Sequence, residues 1–141
     1  MIEFLIIILV LGLLILFAIS IFSQNQRHSK HFAKKVNSEF IQERWKSINA
    51  SASAGGIGLK NAVTEADKLL DYVLLQKGFR GKTMAERLKN AQKRLSDKEA
   101  IWQAHKLRNS LAHEVNFDLV ASHAKEALDS FQKALRELEV L

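Results

Sequence analysis

The stretch LKNAVTEADKLLDYVL, residues 59–74, has the clearest apolar periodicity in the chain. Its small and aliphatic side chains recur three and four positions apart, as one face of an α-helix requires. The positions are Leu59, Ala62, Val63, Ala66, Leu69, Leu70, Val73 and Leu74. Side chains on such a stripe are typical of a core and not of a cofactor site. The stretch therefore predicts an amphipathic helix that packs against other helices.

The composition favours a fold made of helices. The chain of 141 residues contains no proline and six glycines, which argues against many strands and tight turns. It contains no cysteine, so a disulfide framework, a thiolate metal site and a cysteine nucleophile are excluded. The glycine-rich AGGIG, residues 54–58, lacks the lysine and hydroxyl residue of a phosphate-binding loop. We expect no cofactor and no metal site.

Further helical patterns lie on both sides of this stretch. An apolar stripe runs from Phe32 to Ile48, followed by a small, flexible connection. Capping boxes at Thr83 and Ser96 each predict the start of a helix. Asn116 or Asp118 is predicted to cap the last helix. Short connections between amphipathic helices predict antiparallel packing around one shared core.

The beginning of the chain is different in character. FLIIILVLGLLILFAISIF, residues 4–22, contains 19 residues without a charge. As a helix it would span roughly 28 Å, about the hydrocarbon thickness of a bilayer. It is too long for a cleaved signal peptide, and no basic residue precedes it. The predicted fold class is all-α: an N-terminal single transmembrane helix, with residues 1–25 as the anchor, followed by an antiparallel four- to five-helix bundle over residues 26–141.

Charges beside the apolar run predict its orientation. Arg27, Lys30, Lys34 and Lys35 follow it, whereas Glu3 is the only charged residue before it. The positive-inside rule then places the N-terminus outside and the bundle in the cytoplasm of a single-pass membrane protein. The lipid bilayer is the first predicted partner, since these cations would lie beside anionic headgroups.

The charge distribution also bears on other partners. The net charge is +6, and residues 80–94 carry six basic side chains against one acidic side chain. From residue 114 onward, the chain carries six acidic side chains and three basic ones. A basic front and an acidic back indicate an anionic partner, either lipid headgroups or nucleic acid. A solvated surface with salt bridges is the alternative interpretation.

The stretch HKLRNSLAHE, residues 105–114, is unusually polar for a helix of a core. Arg108 and His113 are five positions apart, about 140° around a helix axis, so they do not converge on one small ligand. Arg108 could pair with an acid, Asn109 could bridge two helices, and His113 could interact with a helix C-terminus. Residue chemistry alone leaves this structural interpretation open.

The order of Arg108, Asn109 and His113, late in an all-helical domain, resembles the signature of the HEPN superfamily over roughly residues 30–141. The resemblance implies a four- to five-helix bundle that forms a homodimer, with two motifs facing each other across one cleft. It also implies metal-independent endoribonuclease activity on RNA. His113 would then act as general base or acid at the ribose 2′-hydroxyl, Arg108 would hold the phosphate, and Asn109 would orient one of these groups.

Two other functions remain open from the sequence. One is a non-catalytic, membrane-tethered helical scaffold, or a module that binds RNA or nucleotide without chemistry. The other is a role at the lipid surface, carried by the basic residues that follow the apolar run. The pair Arg108 and His113 is the feature that distinguishes the ribonuclease from both.

Overall fold

The computed structural model describes residues 12–17 and 36–141. The chain divides into two units, Met1–Lys34 and Lys35–Leu141. The described part of the second unit contains five α-helices and one 3₁₀ turn, and no strand. They are α1 (Ser38–Ser53), α2 (Gly56–Gln76), α3 (Met84–Ala91), the 3₁₀ turn (Gln92–Arg94), α4 (Lys98–His113) and α5 (Ala121–Glu137). The described residues of this unit are therefore all-helical in class, as the apolar stripes predict.

Helix α2 is the centre of this bundle. It packs against each of the other four helices, and α4 also packs against α5. Seven of the eight residues in the apolar stripe of residues 59–74 are buried, and Leu59 packs partly buried against the same core. The largest side chains without solvent contact come from α1, α2 and α5, and they include Ile41, Leu70, Leu74, Phe131 and Leu135. The sequence prediction for α2 is confirmed.

The connection between α1 and α2 is shorter than SASAGG, residues 51–56, the small-residue stretch that the sequence predicts as a flexible connection. Residues 51–53 are helical, and only Ala54 and Gly55 separate the two helices. Gly55 has φ of +66°, a left-handed conformation that glycine adopts without strain. A Cβ atom on Gly58 would overlap the carbonyl oxygen of Ser51. The small residues therefore allow a tight turn and a close approach of the two helices.

Helix α2 ends in a Schellman motif. The N–H of Gly78 donates to the carbonyl of Leu75 at 3.0 Å, and the N–H of Phe79 donates to that of Leu74 at 3.0 Å. Gly78 has φ of +82°, which explains why glycine follows the cap residue Lys77. The half-buried Phe79 then packs against the core. These contacts end α2 at Gln76.

The capping box at Thr83 forms with one change of partner. The Thr83 hydroxyl accepts from the N–H of Glu86 at 3.2 Å, as the prediction requires. The carboxylate of Glu86 accepts from the N–H of Lys82 at 2.7 Å, and not from that of Thr83. Gly81 makes this turn possible, because a Cβ there would lie 2.7 Å from the Cβ of Glu86.

The second capping box is wrong by one residue. Asp97 is the N-cap of α4, and its carboxylate accepts from the N–H of Ala100 at 3.0 Å. Ser96 instead links the start of α4 to the end of α5: its N–H donates to Glu137 at 2.9 Å, and its hydroxyl donates to the same carboxylate. These hydrogen bonds hold the pKa of Glu137 below its usual value.

The predicted cap of the last helix is also wrong. Helix α5 begins after Val120, without a side-chain cap, and not at Asn116 or Asp118. Asn116 has φ of +62° and turns the loop between α4 and α5 instead. Lys60 of α2 donates to the carbonyl of Phe117 at 2.9 Å, which attaches this loop to the bundle.

The predicted transmembrane helix needs correction. A helix that crosses a bilayer needs about 20 mostly apolar residues. Of residues 4–22, the structure describes residues 12–17 as helix, a length of about 9 Å, and the others lie outside the described residues. The longest described helix, α2, has 21 residues but is amphipathic. No described helix is long and apolar enough to cross a membrane. The membrane part of the predicted fold class and the single-pass membrane localisation are therefore wrong.

Candidate functional site

Helix α4 carries the residues that the sequence singles out. Asp97 caps its beginning, and His113 is its last residue. Ile101, Ala104 and His105 form its buried face, so the next turn of that face brings Arg108 and Asn109 to the edge of the core. The position of this motif therefore follows from the apolar positions one turn earlier.

Asp67 of α2 is the buried partner of this helix. Only 3% of its surface is exposed, and its Oδ1 lies 2.8 Å from Nδ1 of the buried His105. A buried carboxylate without a partner would be strongly destabilising. Asp67 therefore requires a donor at this point of the core, and His105 of α4 provides one.

Arg108 approaches the same carboxylate from the solvent side. Its Nε lies 3.3 Å from Oδ2 of Asp67, and 26% of its side chain is exposed. This contact is an ion pair without hydrogen-bond geometry, since the Nε–H has no acceptor among the described residues. Nη1 of Arg108 donates to Oδ1 of Asn109 at 3.1 Å. Contacts with α2 and α4 thus hold the guanidinium at two of its three nitrogens, Nε and Nη1.

The amide of Asn109 closes a ring of contacts. Its Nδ2 lies 3.3 Å from Nε2 of His105. An amide nitrogen only donates, so Nε2 is the acceptor and the proton of the neutral imidazole is on Nδ1, facing Asp67. With this tautomer, the imidazole of His105 donates to Asp67 and accepts from Asn109. We call Asp67, His105, Arg108 and Asn109 the polar cluster.

A second ion pair lies beside the polar cluster. Arg87 of α3 donates to both oxygens of Asp71 on α2, at 2.7 and 2.8 Å, and to the carbonyl of Gly81 at 2.6 Å. The hydrogen bonds to Asp71 raise the pKa of the Arg87 guanidinium. This two-pronged contact is specific to arginine, and it fixes the start of α3 against α2.

The polar cluster opens into a pocket of about 400 Å³ between α2, α3 and α4. Its lining includes Lys68 and Asp71 of α2, Ala85 of α3, and the polar cluster. The lining carries two basic side chains, Lys68 and Arg108, and two acidic ones, Asp67 and Asp71, so their formal charges cancel. An anion would therefore be attracted by the guanidinium of Arg108 itself and not by a net positive charge of the pocket. We call this space the Arg108 pocket.

His113 lies apart from this pocket. It is exposed in the last turn of α4 and makes no side-chain hydrogen bond or ion pair with the described part of the chain. Of the three residues that the sequence selects, the structure brings Arg108 and Asn109 together and leaves His113 on another part of the helix. The angular separation expected from the sequence is thus retained in one chain.

Two members of the polar cluster, His105 and Asp67, are absent from the site that the sequence predicts. Asp67 stands four positions after Val63 and three before Leu70, within the buried stripe of α2. A charged residue inside an apolar stripe indicates a buried partner, and this signal could have identified it.

Comparisons with known proteins add no assignment to this geometry. Among the described residues, no group of three or more His, Asp or Glu side chains could hold a metal ion. The resemblance of Arg108, Asn109 and His113 to the HEPN signature stays a prediction. No protein-family model, no curated protein and no solved structure matches the chain.

Proposed function

We propose that this chain binds RNA with a phosphate at Arg108 and, as a homodimer, cleaves it with His113 in a reaction without a metal ion. The observation that carries the proposal is the state of Arg108: its guanidinium is held at Nε and Nη1, and the side chain lines an open pocket. The similarity of Arg108, Asn109 and His113 to the HEPN signature supports the role given to each residue.

Arg108 is well prepared for a phosphate. Asp67 holds Nε of its guanidinium and Asn109 holds Nη1, and the partly exposed side chain lines the Arg108 pocket. A planar guanidinium binds two oxygens of a phosphate at once, with charge-assisted hydrogen bonds. A side chain that is already oriented loses less freedom on binding. The arrangement therefore favours a phosphodiester over an uncharged ligand.

The proposal requires two chains. Arg108 and His113 are separated by about 140° around α4 and by about 7.5 Å along it. One helix therefore does not present both side chains to a single phosphate. A two-fold axis beside α4 places His113 of one chain near Arg108 of the other and makes two equivalent sites. The dimer is thus part of the mechanism.

The chemistry uses the exposed imidazole of His113 and the guanidinium of Arg108. Neutral His113 takes the proton of the ribose 2′-hydroxyl while O2′ attacks phosphorus. The bond from phosphorus to O5′ breaks, and an imidazolium donates a proton to O5′. The products are a 2′,3′-cyclic phosphate and a 5′-hydroxyl end. Arg108 stabilises the charge that builds up on the non-bridging oxygens.

Replacing His113 with alanine is expected to lower the rate of RNA cleavage at least about a hundred-fold, because it removes the group that transfers the proton. The assay uses the full chain in mild detergent, since residues 4–22 are apolar, and contains EDTA. His123→Ala is the matched control, because His123 is an exposed histidine on α5. It should leave the rate unchanged. Equal rates for His113→Ala and the wild type, or no cleavage by either, would contradict the ribonuclease.

One observation favours a second candidate function, binding of RNA or nucleotide without cleavage. Asp67 already neutralises part of the charge on Arg108, and a closed ring of buried contacts is also what a purely structural network requires. The same assay separates the two functions. A chain that binds RNA through Arg108 and leaves it intact in EDTA would be a binding module.

A further inference from the structure

A second open space adjoins the Arg108 pocket. It measures about 400 Å³ and lies between α3, the 3₁₀ turn and the first half of α4. Its floor is apolar and consists of Leu88, Leu95, Ile101 and Trp102. Ala85 of α3 lines both spaces. We call the second space the Trp102 groove, and its size is within the range of small-molecule sites.

The groove and the pocket adjoin along α4. Trp102, His105 and Arg108 are spaced three residues apart, so each side chain is rotated by about 60° from the one before it, and Trp102 and Arg108 are about 120° apart around the axis. The rings of Trp102 and His105 have centroids 6.0 Å apart at an angle of 47°. His105 also lines the Arg108 pocket, and Ala85 lines both spaces. A ligand in the pocket therefore extends past His105 and Ala85 into the groove.

The chemistry of the groove is that of a site for a flat, neutral group. Trp102 is half-buried, so part of its indole faces the groove. Lys89 and Lys98 line the groove together with Glu86 and Glu99, and their formal charges cancel. This balance gives no preference for a second anion. An indole surface stacks well on an aromatic ring of any sequence.

We propose that the Trp102 groove receives the base of the nucleotide whose phosphate binds at Arg108. The proposal rests on the function proposed above and adds a subsite to it. The two spaces share Ala85, so a ligand whose phosphate binds at Arg108 enters the groove with its other end. The base stacks on Trp102, and the ribose lies against the wall formed by Ala85. The groove thus makes the site selective for nucleotides over free phosphate.

The first test compares adenosine monophosphate with inorganic phosphate as probes of the full chain by calorimetry. We expect the nucleotide to bind the wild type about five- to hundred-fold more tightly, since stacking adds to the phosphate contact. Trp102→Leu should remove this difference and leave the affinity for phosphate unchanged. Trp102→Phe, which keeps an aromatic face, should retain most of it.

Tyr72→Leu is the matched control for this test. Tyr72 is 41% exposed, packs edge-on against Phe40 and lines neither space, so its loss should not change nucleotide affinity. The groove is refuted if Trp102→Leu binds the nucleotide as the wild type does. It is also refuted if the wild type binds both probes equally. If the wild type binds both probes equally, Trp102 only packs against its neighbours and does not bind a ligand.

A second readout uses only the wild type and the conservative variant Trp102→Phe. Trp45 is 6% exposed in the core, so quenching of tryptophan emission by adenosine monophosphate reports on Trp102. We expect quenching in the wild type and none in Trp102→Phe; emission that does not respond in the wild type overturns the groove. Failure of the phosphate site would give a different result: Arg108→Ala would bind both adenosine monophosphate and inorganic phosphate as tightly as the wild type does.

Discussion

Replacing Asp67 with alanine is expected to lower the free energy of unfolding by about 3 kcal/mol, as the breaking of a buried charge pair does. The carboxylate is 3% exposed and is the partner of both His105 and Arg108. Without it, the Nδ1–H of the buried imidazole loses its acceptor, and the guanidinium has no counter-charge at its inner edge. The loss combines an unpaired buried donor with an uncompensated charge.

Urea unfolding of the full chain, followed by circular dichroism, measures this effect. Glu65→Ala is the matched control, since Glu65 is an acid on the same helix whose ion pairs with Arg44 and Lys68 are exposed. The control should lose less than about 1 kcal/mol. Similar losses for Asp67→Ala and Glu65→Ala would show that the polar cluster does not stabilise the core.

Phe131→Ala is expected to lower the free energy of unfolding by about 3–5 kcal/mol, because it leaves a large cavity in the core. Phe131 of α5 has no exposed surface and is among the largest fully buried side chains. Helix α5 closes the bundle against α2 and α4, so the cavity would lie where these helices meet. The same urea experiment measures the change.

Leu75→Ala provides the comparison for the core. Leu75 belongs to α2 but is 53% exposed, so its truncation removes little buried surface. We expect a loss of under about 0.5 kcal/mol, the usual range for surface substitutions. A loss below 1 kcal/mol for Phe131→Ala would mean that α5 does not close the core as described.

The helices were predictable because their core positions repeat with a simple period. Along residues 59–74 the period alone identifies the buried face of α2. The same reasoning failed for Phe40, which lies within the stripe from Phe32 to Ile48 but is 41% exposed. Its ring packs against Tyr72 on the surface. A stripe does not show where a helix ends or which neighbour covers it.

The candidate site was predictable only along one helix. The spacing of Arg108, Asn109 and His113 showed that the first two are adjacent and that the third points elsewhere. The contact between Asp67 and His105 joins residues 38 positions apart in the chain, so no local pattern encodes it. The predicted starts of α4 and α5 were wrong for a related reason. Ser96 contacts Glu137, and the loop before α5 contacts Lys60, so tertiary contacts and not local sequence set where these helices begin.

The most direct test of the account is the affinity of the full chain for a short 2′-O-methyl RNA, which has no 2′-hydroxyl and is not cleaved. Arg108→Ala is compared with Lys106→Ala, since both remove one positive charge from α4 but Lys106 is exposed and lines another groove. The account predicts that Arg108→Ala weakens binding at least about ten-fold, and Lys106→Ala by less than about three-fold. Equal losses would contradict it, because binding would then depend only on total surface charge.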